Sequence, residues 1–184
     1  MNDLVGDLKR RMTATVDTFK EEIARVRTGR ASTALISHLK VEYYGTPTPL
    51  NQLATLSAPE PQLIVVQSFD RGALGEIEKA IQKAELGLNP SNDGKIIRVP
   101  VPPLTEERRK EMVKLLKKMA EEHKVALRNI RRDGNEGLKA REKSKELTED
   151  GLRRGQAEVQ KLTDQFVTQI DGLLASKEKE ILDV

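Results

Sequence analysis

Pro100-Val-Pro-Pro-Leu-Thr-Glu-Glu-Arg-Arg-Lys110 decides how this chain is organised. Its prolines end the strand-like run Lys95-Ile-Ile-Arg-Val99 and make a stiff connector, because proline fixes φ and donates no amide hydrogen. Thr105 then offers an N-cap hydroxyl. Glu106 and Glu107 put carboxylates in the first helical turn, where the helix dipole favours negative charge. A β-type segment hands over to a helical one within a few residues.

On the C-terminal side, Met112, Leu115, Leu116, Met119, Ala126 and Ile130 recur at helical steps and predict one helix over 105–145. At about 1.5 Å per residue that helix is about 60 Å long, so the molecule is expected to be elongated. Beyond Ile130 the same face carries Gly134 and Gly137, each costing roughly 1 kcal/mol of helix propensity relative to alanine. Either another helix packs very close there, or this one runs past its partners. Leu147-Thr-Glu-Asp-Gly151 reads as a turn with Thr148 as the next N-cap. A final helix over 149–182 carries Leu152, Val159, Leu162, Phe166, Ile170, Leu173 and Ile181 at near-heptad spacing.

On the N-terminal side the period is that of strands. Val41-Glu-Tyr-Tyr-Gly45 and Gln62-Leu-Ile-Val-Val-Gln-Ser68 read as strands, separated by the breaker run Thr46-Pro-Thr-Pro49 and a second strand or turn over 50–56. Asp70 caps a helix through about Leu86, with Gly87 at its end, and Asn89-Pro-Ser-Asn-Asp-Gly94 is a turn. Further back, Leu4, Leu8, Met12, Val16, Phe19, Ile23 and Val26 predict a helix over 3–28, closed by Gly29. A lone amphipathic helix of that length needs partners, and the two C-terminal helices supply them. The expected fold is α+β: residues 1–30 and 105–184 form an antiparallel three-helix bundle, and residues 31–104 form a small β/α/β domain inserted into it. The two crossings, near 30–37 and 100–105, form a hinge between compact units.

The net charge is only +3, but its distribution is uneven. Residues 105–145 hold fourteen basic and eight acidic groups, whereas 146–184 hold five and nine. Lys124, Arg128, Arg131 and Arg132 sit at helical spacing, on a face that lies nearly opposite the stripe Met112, Met119, Ala126, Ile130. Such a ridge answers either to an anionic partner or to water alone. Arginine's planar fork suits phosphate, and five aromatics in the whole chain supply no base-stacking platform. A nucleic-acid partner, if there is one, would be structured RNA or duplex gripped by its backbone.

Enzyme signatures fail in context. Gly87-Leu-Asn-Pro-Ser-Asn-Asp-Gly94-Lys95 has six residues between its glycines instead of four, lacks Ser or Thr after the lysine and precedes a strand, so it is no phosphate loop. His38 and His123 are far apart, and His123 reads as a packed histidine; no metal or cofactor is expected. The absence of cysteine rules out disulfides and thiol chemistry. The N-terminus has no signal-peptide pattern and no apolar run reaches membrane-spanning length, so the chain reads as cytoplasmic.

Six motifs in order give the chain a resemblance to the ribosome recycling factor family along essentially its whole length: Arg27-Thr-Gly-Arg-Ala-Ser32, Tyr44-Gly-Thr-Pro-Thr-Pro-Leu50, Gly87-Leu-Asn-Pro90, Pro102-Pro-Leu-Thr-Glu-Glu-Arg-Arg-Lys110, Arg128-Asn-Ile-Arg-Arg-Asp133 and Val159-Gln-Lys-Leu-Thr-Asp164. The resemblance implies an L-shaped monomer without catalytic residues. It implies binding to large-subunit ribosomal RNA after termination, and subunit splitting with elongation factor G and GTP. Arg128, Arg131 and Arg132 match the family's RNA-contacting arginines, with Arg131 at the centre, and Lys124 continues the ridge. Arg27, Gly29 and Arg30 match its first hinge motif, and Pro102, Pro103, Leu104 and Thr105 match the second hinge strand. Thr33 stands where many members have proline, and Gly134 and Gly137 stand where better helix formers are usual. The competing reading is a helical RNA-binding regulator, scaffold or chaperone that does not split ribosomes.

Overall fold

The computed structural model describes residues 2–183 and divides the chain into two compact units. One comprises residues up to Arg27 together with Glu107–Asp183, and the other Thr28–Glu106.

The first unit is three helices: α1 (Asn2–Ala24), α4 (Glu106–Lys143) and α5 (Glu149–Leu182). Helix α1 buries Leu8, Met12, Val16, Phe19 and Ile23, the expected stripe. It ends at Ala24 rather than 28. Arg25 and Val26 donate to the carbonyls of Glu22 and Ile23 three residues back, so the last turn tightens before Gly29 is reached. Helix α5 starts as expected, with the Thr148 hydroxyl accepting from the Gly151 amide at 3.0 Å. Buried Thr163 donates to the Val159 carbonyl, so its hydroxyl stays paired inside the core.

The directions of the helices follow from their pairings. Leu8 meets Gly134, Arg11 pairs with Asp133 at 2.6 Å, and Phe19 stacks at a tilt on His123. Positions rising along α1 therefore meet positions falling along α4. Lys117 faces Glu178 and Lys124 pairs with Asp171, so α4 and α5 are antiparallel as well. His123 is a packed residue. Its Nδ1 lies 2.8 Å from the Met119 carbonyl and its Nε2 lies 3.5 Å from Glu22.

The stripe of α4 differs from the expected one. The buried residues are Leu116, Ala120, Leu127, Ile130, Gly134 and Leu138. Met112 and Met119 are only half-buried, and Leu115 is exposed. At about 100° per residue, the true buried face is rotated by about 60° from the one centred on the methionines. The alternatives left open by the glycines are settled by the same rotation. A Cβ at Gly134 would stand 2.4 Å from Leu8 Cδ1, and one at Gly137 would stand 3.3 Å from Leu4 Cδ1. The helix therefore does not run past its partners. The Leu8 and Leu4 side chains of α1 reach into the space that side chains at Gly134 and Gly137 would take, while the close backbone approach of α1 is to α5.

The second unit has a separate core around Ile36, Val41, Leu50, Ile64, Val66, Ile77, Ile81, Ile97 and Val99. Strands β3 (Ala54–Glu60), β4 (Leu63–Ser68), β5 (Ser91–Asn92) and β6 (Ile97–Pro100) form an antiparallel sheet in the order β3-β4-β6-β5. Helix α3 (Leu74–Lys83) buries Leu74, Ile77 and Ile81. It is shorter than the expected helix, because Asp70 caps a separate 3-10 turn (Arg71–Ala73) by accepting from the Gly72 amide. A second hairpin joins β1 (Lys40–Tyr43) to β2 (Thr46–Pro49).

Strand β2 is the run Thr46-Pro-Thr-Pro49, read above as a breaker. Pro47 and Pro49 are two residues apart, so their missing amides fall on one edge, and a two-stranded ribbon has a free edge to receive them. The segment after it is a single helical turn, α2 (Leu50–Leu53), before β3. At the hairpin tip, Tyr44 (φ 48°) and Gly45 (φ 80°) both adopt left-handed backbone, as a two-residue turn of this kind demands. The two tyrosine hydroxyls converge on Asp70 Oδ2, at 3.3 and 3.4 Å. Burial, then the Asp70 charge, push the Tyr43 phenol above its usual range.

The turn into β6 is held by one carboxylate. Asp93 accepts from the amides of Lys95 and Ile96 and pairs with Arg98 at 2.7 Å. Those backbone bonds, ahead of the arginine, lower its pKa to about 2. A depressed carboxylate contributes stability above its unfolded pKa of about 3.9 and loses it as pH falls towards the folded value. Amide protection in the β5–β6 turn should therefore decline between about pH 4 and pH 2, and Asp93→Asn should abolish that dependence. In the bundle, Gly134→Val should destabilise by about 1–3 kcal/mol through overpacking against buried Leu8. Gly137→Ala should be neutral or stabilise by up to about 1 kcal/mol, since half-buried Leu4 has room to yield. Thermal unfolding of the two variants tests this contrast, and shifts of the same sign and size would contradict it.

Candidate nucleic-acid interface

The basic ridge lies on α4, but rotation of the buried face changes what each member does. Measured from the centre of that face, Arg131 and Lys124 lie at about 50–70°, Arg128 at about 110° and Arg132 at about 150°. The ridge is thus not opposite the core as a whole. Two of its members border the seam with α5, and two point away from it.

Their partners follow this placement. Lys124, four-fifths buried, makes an ion pair with Asp171 of α5. Arg128 reaches back along its own helix to Glu121 at 2.9 Å. Among the described residues Arg131 meets no carboxylate: its Nη1 donates to the Gln160 amide oxygen of α5 at 3.3 Å. Gln160 in turn donates from Nε2 to Asp164 Oδ1 at 2.8 Å. Arg132 is exposed and has no hydrogen bond or ion pair among the described residues. The next carboxylate, Asp133, is taken by Arg11 of α1. Farther along, Arg141 lies 3.6 Å from Asp3. Of four ridge cations, two are neutralised by local carboxylates and two, Arg131 and Arg132, keep an uncompensated charge. Fixed on a long helix, two adjacent guanidinium groups of this kind fit bidentate recognition of phosphate.

The α5 contributors Gln160, Asp164 and Asp171 were missed in the sequence reading. The signal for Asp171 was present in the heptad spacing of α5, which sets Asp164 and Asp171 seven residues apart, but only a known register against α4 makes it legible.

Arg27 closes the first unit's N-terminal stretch, and the other residues read as hinge elements lie at the two ends of the second unit's chain. Gly29 is buried with φ 76°, and a Cβ there would stand 3.0 Å from the Leu104 amide nitrogen and 3.1 Å from its Cγ. Entering and leaving segments therefore touch. Ala31 donates its amide to the Pro61 carbonyl at 2.6 Å, and Val101 donates to the Gln62 carbonyl at 2.8 Å, so both are fastened to the same β3–β4 turn. Arg27, Arg30, Pro102, Pro103 and Thr105 are exposed, and Leu104 is half-buried. Residues 32–36 are not free linker. The Ser32 hydroxyl caps a 3-10 turn over Thr33–Leu35, and Ile36 is part of the core.

A family model described as "Ribosome recycling factor" matches residues 19–182. This chain belongs to the ribosome recycling factor family. It is 55% identical over 182 residues to the ribosome-recycling factor of Halalkalibacterium halodurans, covering 99% of this chain and 98% of that one. It is also 55% identical to that of Oleidesulfovibrio alaskensis, with both chains fully covered. A solution structure of a ribosome recycling factor superposes with a TM-score of 0.78 at 46% identity, covering 100% of this chain and 97% of that one. A second structure, with a TM-score of 0.66 at 49% identity, covers 98% of each chain. It belongs to models of the T. thermophilus ribosome recycling factor and the E. coli elongation factor G bound to the E. coli post-termination complex. Among the described residues no cluster of three or more potential metal ligands occurs, and no helix is long and apolar enough to cross a membrane.

Proposed function

We propose that this chain binds the post-termination ribosome through large-subunit ribosomal RNA and, with elongation factor G and GTP, splits the subunits for another round of translation. Family membership over nearly the whole chain carries this reading. A relative bound beside elongation factor G on the post-termination complex supports both partners. The factor acts in the cytoplasm, as a monomer and without catalysis of its own; GTP hydrolysis belongs to its partner.

The RNA contact is assigned to the α4 ridge, with Arg131 and Arg132 meeting phosphates directly and Arg128 and Lys124 contributing through the surrounding field. Arg27, Gly29, Arg30 and the 102–105 strand act as the hinge about which the inserted 31–104 domain moves when elongation factor G engages. Proline fixes φ in the second strand, so the motion falls on a few residues beside it.

Arg131→Ala should weaken binding to large subunits by at least about tenfold, the value of one charge-assisted contact, while the protein stays folded. Binding should also fall steeply with salt, since each neutralised phosphate releases counterions. Co-sedimentation over a salt series measures both effects, and normal binding by the variant would remove the ridge from the mechanism. Inserting Gly-Ser between Arg27 and Thr28 and between Thr105 and Glu106 should spare binding and impair splitting. Splitting at the wild-type rate would show that the connectors do not transmit the motion.

A further inference from the structure

The contacts between α4 and α5 follow a fixed register that breaks at one position. Lys117 of α4 faces Glu178 of α5 at 4.0 Å. Seven residues on, Lys124 pairs with Asp171, seven residues back. One heptad further, the same antiparallel register sets Arg131 against Asp164. Asp164 is present and exposed, yet it makes no ion pair with Arg131. Gln160, one turn earlier on α5, occupies the gap. Its amide nitrogen donates to Asp164 Oδ1 at 2.8 Å, and its amide oxygen accepts from Arg131 Nη1 at 3.3 Å. A neutral side chain thus satisfies both ions and keeps them apart.

We infer that Gln160 is a positioning residue for Arg131, intercepting Asp164 so that the guanidinium is held at the seam with its charge uncompensated. The inference rests on the RNA reading of the ridge. An arginine locked in a direct pair with Asp164 would have to break that pair before meeting a phosphate. An arginine with no neighbour would have to lose side-chain freedom on binding. The amide avoids both penalties. It occupies one of the five guanidinium donors and leaves the others for phosphate.

The test uses the full chain and purified large ribosomal subunits. Gln160→Ala should release Asp164 into the pair that the register prescribes. Affinity should then fall about tenfold, and the salt slope should drop by about 0.7–0.9, the equivalent of one phosphate contact. Gln160→Ala combined with Asp164→Asn should recover most of the lost affinity, to within about threefold of wild type, because no carboxylate remains to capture the arginine and only the cost of ordering its side chain is left. Wild-type affinity for Gln160→Ala would overturn the inference, and so would a loss that Asp164→Asn fails to rescue. A measurement without ribosomes separates this from the RNA reading. Shifts in thermal midpoint for Arg131→Met and Asp164→Asn should add in the native background and become non-additive in the Gln160→Ala background. If that pattern holds while Arg131→Ala binds subunits normally, the RNA reading fails and the interception stands. If the shifts add in both backgrounds, the interception itself is wrong.

Discussion

The side chain of Leu8 resting on the bare backbone of Gly134 fixes the geometry of the helical unit. A Cβ at that point would overlap the leucine, so the glycine leaves open the space on α4 that the Leu8 side chain fills. Once that contact is set, the remaining pairings follow from helical geometry. Arg11 reaches Asp133 and Phe19 reaches the His123 ring, each displaced along α1 by the amount that the antiparallel crossing requires. The seam between α4 and α5 then takes up the other flank of the same helix. Glycine costs propensity in an isolated helix, but here its bare surface lets the Leu8 side chain make dispersion contacts that a bulkier residue would prevent.

Much of the fold was legible from periodicity, and the misses have physical causes. The stripe of α1 is unambiguous because its neighbours are polar on both sides, and the start of α5 is marked by a threonine with acidic residues after it. In α4 the apolar residues are spread over more than one face. Taking the methionines as the centre displaced the stripe, since Met112 and Met119 lie at the edge of the core and Leu127 and Leu138 lie at its middle. Propensity treated Gly134 as a weakness, whereas tertiary packing makes it a contact point. The prolines of β2 were read as breakers because they disrupt a central strand; a hairpin with a free edge accepts them. At the candidate site the arginines were visible and their partners were not. Whether a given cation is already neutralised depends on the register of α5, which no stretch of α4 encodes.

That register also decides which cations of a strongly basic helix are met by carboxylates of α5. The acidic excess of the last segment is delivered to α4 at particular rungs, while Arg131 and Arg132 keep their charge. Ion pairing by α5 is therefore confined to particular rungs of α4, and Arg131 and Arg132 are not among them.

The tethering of both crossings to the β3–β4 turn bears on how the bundle is assembled. To pack α1 on α4, the chain must close a loop spanning residues 28–106. If the inserted unit folds first, the contact of Gly29 with Leu104 and the paired hydrogen bonds of Ala31 and Val101 bring the ends of that loop together beforehand. The effective loop then shrinks from about eighty residues to a handful, which removes roughly 2–3 kcal/mol of closure entropy from the joining of α1 to α4. The small domain thus works as an internal staple, and helices separated by nearly half the chain meet almost as sequence neighbours.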